Sequence, residues 1–300
     1  MWIIGVDGGG TKCEAGLFNP AGQLVATAFS GPANVFANFE GAMQSIERAC
    51  KQLLYAWNSQ EHQSLINSST KTMLRPSDCF LSLGCAGGGI DLAKKNFQRW
   101  RHEYAGAILH TDVHVSCLAA NNNKPCALFV IGTGSCLAVY QNNKVKQLGG
   151  HGFLLGDIAS GAWLGKKALS WYLQALETPN TDSELQTTLA SVLGNNVSKI
   201  IEQYGQAESG AFGALAPTIL EAKEASPNVR SWLFEGAQYA CELIVKHTQK
   251  GMPIFVVGGL ASVYKPLIEE LISATIQVPN NNAVYGAFYA GKQHLLTSRA

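Results

Sequence analysis

The chain alternates short apolar runs with abrupt Gly-rich turns, and this pattern predicts its strands. Residues 3–6 are apolar and run into Asp-Gly-Gly-Gly-Thr-Lys at 7–12, after which residues 13–18 have the composition of a second strand. An Asn-Pro-Ala-Gly turn at 19–22 precedes a third apolar run at 23–30. The chain is therefore predicted to open with three antiparallel strands.

The next eighty residues alternate predicted helices and strands. Asn38 is a predicted N-cap for a helix that continues through residue 57. A strand at 79–83 leads into a Gly-rich turn and a helix to about residue 103, and a strand at 107–111 ends on Asp112. The order β-β-β-α-β-α-β predicts a mixed sheet covered by helices.

The same pattern then begins again. A strand at 127–131 is followed by Gly-Thr-Gly-Ser at 132–135 and by strands at 136–140 and 144–148. Residues 157–250 are predicted to be largely helical, and a strand at 254–257, a Gly-Gly pair, a strand at 275–278 and a helix from about 283 follow. Two copies of one motif predict two similar α/β domains with a ligand between their Gly-rich turns.

The first Gly-rich turn has the composition of a phosphate site. Consecutive glycines allow backbone N–H groups to surround an oxyanion, and Asp7 fits beside a phosphate if Mg²⁺ lies between them. The alternative is a tight hairpin in which the glycines serve geometry alone. The segment is not a P-loop, because a second strand rather than a helix follows it.

Composition narrows the function classes. Net charge is +1 with no run of Lys or Arg, which argues against nucleic acid or an anionic membrane as a partner. No run approaches about 18 apolar residues, so no membrane span is predicted. Eight cysteines without a C-x-x-C motif favour the cytoplasm. The histidines show no metal spacing, and the change from strand to helix at 112 is expected to separate His110 from His114.

Five motifs together resemble the BadF/BadG/BcrA/BcrD-type branch of the actin/hexokinase/Hsp70 ATPase superfamily. They are VDGGGTK at 6–12, GPAN at 31–34, TD at 111–112, IGTGS at 131–135 and GGHGFLLGDIASGAWLG at 149–165. The resemblance implies two ribonuclease-H-like (actin-like ATPase) domains, each a mixed five-stranded sheet with helices, and a cleft between them. The expected domains are 1–112, with a helix at about 286–300 packing back on it, and 113–285 with a helical insertion.

The resemblance also implies a role for each motif. Asp7 would hold Mg²⁺ through water, Lys12 would neutralise charge near the γ-phosphate, and Asp112 would be the general base. The phosphates of ATP would contact Gly8, Gly9, Gly10, Thr11, Gly132, Thr133, Gly134 and Ser135, and its adenosine would contact Gly258 and Gly259. A sugar would contact Asn34, Gly87, Asp112, Gly150, His151 and Asp157.

Three departures from the family pattern lie in the expected sugar site. Ile158 and Ala159 stand where relatives often carry Glu or Gln followed by Gly, His151 replaces a Trp, and Ala86 replaces a Ser. These changes leave the phosphate motifs intact and leave the identity of the sugar open. For Asp112 itself, the alternative to catalysis is an N-cap of a helix that begins at Val113.

The leading hypothesis is an ATP-dependent kinase that phosphorylates the 6-hydroxyl of N-acetylglucosamine or glucosamine. One alternative is the ATPase activator of a 2-hydroxyacyl-CoA dehydratase, for which Cys126 and Cys136 flank the second phosphate loop. Another is a non-catalytic module that binds sugar and ATP. The resemblance places a homodimer face in the helical block, so a homodimer is a further expectation.

Overall fold

The computed structural model describes residues 1–59, 73–178 and 182–298. Within these ranges the strands are β1 Trp2–Gly8, β2 Cys13–Phe18, β3 Leu24–Ser30, β4 Cys79–Cys85, β5 Gly106–Thr111, β6 Cys126–Ile131, β7 Ser135–Gln141, β8 Lys144–Gly149, β9 Ile254–Val257 and β10 Ile276–Gln277. The helices are α1 Phe39–Asn58, α2 Asp91–Arg99, α3 Asp112–Ala120, α4 Gly161–Glu177, α5 Ser183–Leu193, α6 Val197–Tyr204, α7 Ser209–Gly213, α8 Ala216–Glu221, α9 Pro227–His247, α10 Ala261–Ile272 and α11 Ala283–Thr297.

The strands form two five-stranded sheets of the same design. The first has the order β3-β2-β1-β4-β5, and the second has the order β10-β9-β6-β7-β8. In the first sheet β1, β2 and β3 pair antiparallel, while β1, β4 and β5 run parallel. In the second sheet β6, β9 and β10 run parallel. The predicted repeat of one sheet motif is confirmed.

The chain divides into two compact units. The first comprises Met1–Pro125, Tyr140–Val145 and the segment from Pro279, and the second comprises Cys126–Val139 and Lys146–Val278. The sequence placed the division at residue 112, whereas the first unit of the structure extends past α3. The reason is packing, because α3 lies against α11 so closely that a Cβ at Gly286 would be 1.7 Å from the carbonyl oxygen of Val115.

Each unit has its own apolar core. In the first unit the inner faces of β1, β2 and β4 pack against α1, whose buried residues recur at helical spacing: Ala42, Met43, Ile46, Ala49, Cys50, Leu53 and Leu54. In the second unit β6, β7 and β9 pack against α4, α9 and α10. Asn38 caps α1 by accepting a hydrogen bond from the Gly41 N–H at 3.0 Å, which confirms the predicted helix start.

Strand register sets which residues share the carboxyl edge of the first sheet. Gly8 pairs with Cys85, and Cys85 pairs with Thr111, so β1, β4 and β5 end at the same level. The residues that follow these three strand ends are consequently neighbours. Among the helices of the described residues, none has both the length and the apolar composition needed to cross a bilayer.

Candidate active site

The first Gly-rich loop is tied to its neighbours by backbone hydrogen bonds. The Gly9 N–H donates to the Lys12 carbonyl at 2.9 Å, and the Gly9 carbonyl accepts from the Ala33 N–H at 2.8 Å. The Gly8 carbonyl accepts from the Ala86 N–H at 2.8 Å. The loop is thus held by both neighbouring segments before any ligand binds.

The glycines of this loop differ in the space around them. A Cβ at Gly8 would lie 2.8 Å from the Cys85 Sγ and 2.9 Å from the Ala33 Cβ, so this position has no room for a side chain. Gly10 faces open space, with nothing within 4 Å of a Cβ placed there. Thr11 and Lys12 are exposed, and the Lys12 Nζ lies 5.9 Å from the centroid of the Phe29 ring. Close packing therefore explains Gly8, while Gly10 leaves the backbone accessible.

Asp7, near the end of β1, and Asp112, directly after β5, lie at the same edge of the first sheet, with β4 between their strands. The pKa of Asp7 is raised to about 6, mainly by burial and also by the nearby carboxylates of Asp112 and Glu14, while Lys12 opposes the shift. Burial also raises the pKa of Asp112, although its hydrogen bond from the Val113 N–H opposes the shift. Ionised carboxylates that are partly desolvated and repel each other fit a divalent cation nearby. These residues therefore suit a hydrated Mg²⁺, with Asp7 as its anchor.

The helix that begins at Asp112 differs from the prediction at its cap. Thr111, not Asp112, is the N-cap, because the Thr111 Oγ1 accepts from the His114 N–H at 3.0 Å. Asp112 is the first helical residue, and its Oδ1 accepts from the Val113 N–H at 2.9 Å. The interpretation of Asp112 as an N-cap is therefore wrong. With Thr111 as the cap, the capping role does not account for the Asp112 carboxylate.

Asn34 and Gly87 lie together beside this edge. The Asn34 Oδ1 accepts from the N–H groups of Phe36 and Ala37, both at 3.0 Å, which leaves its amide nitrogen as a donor. A Cβ at Gly87 would be 2.9 Å from the Asn34 Oδ1, and the positive φ of 77° at Gly87 also favours glycine. The first unit thus brings together Asp7, the loop at 8–12, Asn34, Gly87 and Asp112.

The second Gly-rich loop lies against the start of α4. The Gly132 carbonyl accepts from the Gly161 N–H at 2.8 Å, and the Thr133 carbonyl accepts from the Ala162 N–H at 3.3 Å. The positive end of the α4 dipole consequently lies at this loop, which favours a bound anion. Gly132 faces open space, whereas a Cβ at Gly134 would be 2.9 Å from the Asp157 Oδ2.

Asp157 is buried behind this loop in a strained turn. Its φ is +53°, and that of Ala159 is +75°, conformations in which glycine is the usual residue. Burial raises the pKa of Asp157, whereas hydrogen bonds from the backbone of Ser135 and Gly152 and the charge of His151 lower it. The Ser135 Oγ donates to the Ile158 carbonyl at 2.6 Å, which links the second Gly-rich loop to the loop at 149–159, where the sequence analysis places sugar contacts.

The remaining predicted residues of the second unit lie near these two loops. The Leu260 N–H donates to the Ile131 carbonyl at 3.1 Å, which holds the Gly258–Gly259 pair beside the end of β6. Gly150 and His151 are exposed, and Gly150 has a positive φ of 68°. A side chain that the sequence did not single out also reaches this turn: the Tyr239 Oη would lie 3.0 Å from a Cβ at Gly149.

The comparison with known families agrees with this arrangement. Residues 4–290 match the BadF/BadG/BcrA/BcrD ATPase family. The chain belongs to that family. The resemblance inferred from the sequence motifs is thereby confirmed.

Among relatives, the glucosamine kinase GspK of Vibrio cholerae is 26% identical over 297 residues, covering 97% of this chain and 96% of that protein. The N-acetylmuramic acid/N-acetylglucosamine kinase of Clostridium acetobutylicum is 25% identical over 180 residues, covering 59% of this chain and 55% of that protein. A Chromobacterium violaceum crystal structure, provisionally described as an N-acetylglucosamine kinase, has a TM-score of 0.83 at 24% identity and covers 97% of this chain and 98% of its own. That likeness supports the predicted actin-like ATPase fold.

Proposed function

We propose that this member of the family is an ATP-dependent kinase that transfers the γ-phosphoryl group to the 6-hydroxyl of an amino sugar, N-acetylglucosamine or glucosamine. The observation that carries the proposal is that Asp7 on β1 and Asp112 after β5 lie at one edge of the first sheet, close enough to interact electrostatically, beside a loop with an accessible backbone. The two curated relatives described above are named as kinases of amino sugars, and this supports the substrate class.

Asp112 is the general base in this mechanism. Its carboxylate would accept the proton of the sugar hydroxyl as the oxygen bonds to phosphorus and the bond to the ADP oxygen breaks. A raised pKa makes a carboxylate a better proton acceptor near neutral pH, and burial raises the pKa of Asp112. Its position as the first residue of α3 fixes the carboxylate at the end of β5.

Asp7 and the two Gly-rich loops would bind the nucleotide. Bound Mg²⁺ supplies charge neutralisation on the phosphates, and Asp7 would orient it through water. The N–H groups at 8–12 and 132–135 would donate to phosphate oxygens, and Gly258 and Gly259 would contact the adenosine. Lys12 would add positive charge near the γ-phosphate.

The sugar is assigned to Asn34, Gly87, Gly150, His151 and Asp157. The Asn34 amide nitrogen is available as a donor because its oxygen is used in the turn at Phe36 and Ala37. The Asp157 carboxylate is an acceptor for sugar hydroxyls. Which of the two amino sugars is preferred depends on the loop at 149–159, where this chain departs from its family.

The test is ADP release measured with N-acetylglucosamine, glucosamine and glucose. At least one amino sugar is expected to be turned over with a higher kcat/KM than glucose, and phosphorus NMR of the product should show a 6-phosphate. Asp112→Asn is expected to reduce kcat by roughly 10²–10⁴-fold while ATP binding persists. Full activity in that variant, or no turnover of either amino sugar, would refute the kinase assignment.

A further inference from the structure

Tyr239 combines a ring that packs against the core of the second unit with a hydroxyl beside the turn at Gly149. It lies on α9, and its ring packs against the apolar core of the second unit. A Cβ at Gly149 would be 3.0 Å from the Tyr239 Oη and 3.9 Å from the Leu243 side chain. Gly149 also has a positive φ of 72°. Glycine at position 149 therefore allows the positive φ of this turn and leaves room for the Tyr239 hydroxyl.

The Tyr239 hydroxyl lies among polar groups of the loop at 149–159, which contains residues assigned to the sugar. Burial raises the pKa of Tyr239, and the Asp157 carboxylate and the Cys136 thiol raise it further. Tyr239 thus remains protonated at neutral pH and is a hydrogen-bond donor. The Gln147 Nε2 approaches the same turn, at 2.7 Å from a Cβ placed on Gly150. The turn at Gly149 and Gly150 is thus surrounded by two donors, the Gln147 amide from β8 and the Tyr239 hydroxyl from α9, and by one acceptor, the Asp157 carboxylate from the loop at 149–159.

A donor that is held at a site and not used within the protein is suited to a ligand. Within residues 1–59, 73–178 and 182–298, the Tyr239 hydroxyl makes no hydrogen bond, while its ring is held in place by packing. Little conformational entropy is lost when such a group binds a ligand, since the ring is already fixed. The turn beside it contains Gly150, His151 and Asp157, the residues assigned to the sugar.

We propose that Tyr239 is a substrate-contact residue that donates a hydrogen bond to a hydroxyl of the sugar and thereby contributes to specificity. This inference rests on the proposed kinase function, because it adds a contact to the same sugar site. A site that is built to bond a substrate hydroxyl discriminates against analogues that lack it, since its own polar group is then left without a partner.

The first experiment is steady-state kinetics of Tyr239→Phe, which removes only the hydroxyl. The KM for the amino sugar is expected to rise roughly 3- to 10-fold, the range for one neutral hydrogen bond, while the KM for ATP and the melting temperature stay unchanged. Tyr55→Phe is the matched control, because Tyr55 lies on the exposed face of α1 in the other unit and is 80% exposed. That control is expected to behave as the unmodified protein.

The second experiment identifies the bonded hydroxyl with 1-, 3- and 4-deoxy analogues of N-acetylglucosamine. For the analogue that lacks the contacted hydroxyl, the unmodified protein and Tyr239→Phe should have the same KM, because the interaction is already absent. For the other analogues, the ratio between the two proteins should be the same as with the full sugar.

Each other result overturns the inference in a recognisable way. An unchanged KM for the sugar removes Tyr239 from the site, and a rise confined to the KM for ATP places it with the nucleotide. A lower melting temperature with loss of both affinities makes its role structural. If no amino sugar is turned over, the kinase proposal itself fails, and calorimetry then decides on Tyr239: weaker sugar binding in Tyr239→Phe supports the contact, and equal or absent binding refutes it.

Discussion

His110 and His114 stack with their ring centroids 4.2 Å apart and their planes within 15°, one on each side of Asp112 in the sequence. The sequence argument that a change from strand to helix would separate them is wrong, because α3 begins directly after β5 and the two rings are in contact across this junction. Within the described residues, no group of three or more His, Cys, Asp or Glu is arranged to hold a metal. The two rings flank Asp112, the proposed base, at two residues on either side.

The stack makes stability sensitive to acid. The pKa of His114 is lowered to about 4, mainly by burial and also by the positive charge that His110 would carry. Burial and then His294 on α11 lower the pKa of His110. In the unfolded chain both titrate near 6.5, so between pH 6.5 and 4 the unfolded state binds more protons and the folded state loses stability as pH falls. The substitution His114→Phe keeps an aromatic ring stacked on His110 and removes the titration of residue 114.

The quantity to compare is the loss of unfolding free energy between pH 7 and pH 5. We expect this loss to be about 2 kcal/mol smaller in His114→Phe than in the unmodified protein. Urea unfolding at the two pH values measures this difference. His247→Gln, at the end of α9 in the other unit, is measured alongside as a control for the removal of a distant histidine. Parallel curves for the unmodified protein and His114→Phe would show that the stack does not titrate as described.

Asp7 is expected to reduce the stability of the metal-free protein. Its pKa is raised to about 6, first by burial and then by Asp112 and Glu14, whereas the unfolded side chain ionises near 3.8. The folded state therefore binds more protons between these values, and stability falls as pH rises through them. Asp7→Asn should raise the free energy of unfolding in EDTA by about 2 kcal/mol at pH 8, a figure that allows for partial exposure of the carboxylate. At pH 3.5, where both states are largely protonated, the difference should shrink to roughly 0.2 kcal/mol.

The same substitution is expected to lower kinase activity by roughly 10- to 100-fold and to raise the Mg²⁺ concentration needed for half-maximal rate, because the hydrated metal loses the carboxylate that orients it. Glu14→Gln should give a smaller stabilisation with activity retained, since Glu14 contributes less to the pKa shift of Asp7. A variant of Asp7 that is no more stable at pH 8 would contradict the electrostatic argument.

Local signals explain which parts of the fold were predictable. The Asn38 cap, the strand at Ile254–Val257 and the start of α11 at Ala283 each follow from a run of a few residues, and the structure agrees with all three. The strand at 275–278 contracts to Ile276–Gln277, and the helix predicted to reach about 103 ends at Arg99. Those ends depend on pairing and packing partners that are distant in sequence.

In the candidate site, too, the residues with a local sequence signal were predictable, and those placed by distant packing were not. Asp7 and Asp112 stand at the ends of apolar runs, so their positions at strand ends could be predicted, and parallel pairing then brings them to one edge. Tyr239 could not be found this way, because a single tyrosine in an amphipathic helix carries no local signal. Its proximity to Gly149 is set by the packing of α9 against the second sheet, which joins residues ninety positions apart.

The contact between α3 and α11 should tolerate no side chain at Gly286. A Cβ there would lie 1.7 Å from the Val115 carbonyl oxygen and 2.5 Å from the Val115 carbonyl carbon, both backbone atoms that move only if a helix moves. Gly286→Ala is therefore expected to lower the free energy of unfolding by at least about 3 kcal/mol.

Gly291→Ala is the graded comparison on the same helix. Its added Cβ would meet the Ser82 Cβ at 3.0 Å and the Ile3 Cγ2 at 3.3 Å, contacts that are relieved by a shift of a few tenths of an ångström. A loss of about 1 kcal/mol is expected. Urea unfolding of both variants checks the order, and a Gly286→Ala protein as stable as Gly291→Ala would contradict the close helix contact.

Gly10 and Gly132 offer a test of ligand binding that leaves the fold intact. Each faces open space, with nothing within 4 Å of an added Cβ, so an alanine at either position meets no protein atom. If the two loops bind the phosphates of ATP, a methyl group at these positions occupies space that the phosphate oxygens need. Gly10→Ala and Gly132→Ala are therefore expected to raise the KM for ATP by at least about 10-fold, a cost of about 1.4 kcal/mol, with the melting temperature unchanged.

Gly210→Ala, also in open space but on α7, is the control and should leave the KM for ATP as it is. An unchanged KM for ATP in both loop variants would mean that these loops do not hold the phosphates, because the substitution has no other contact through which to act.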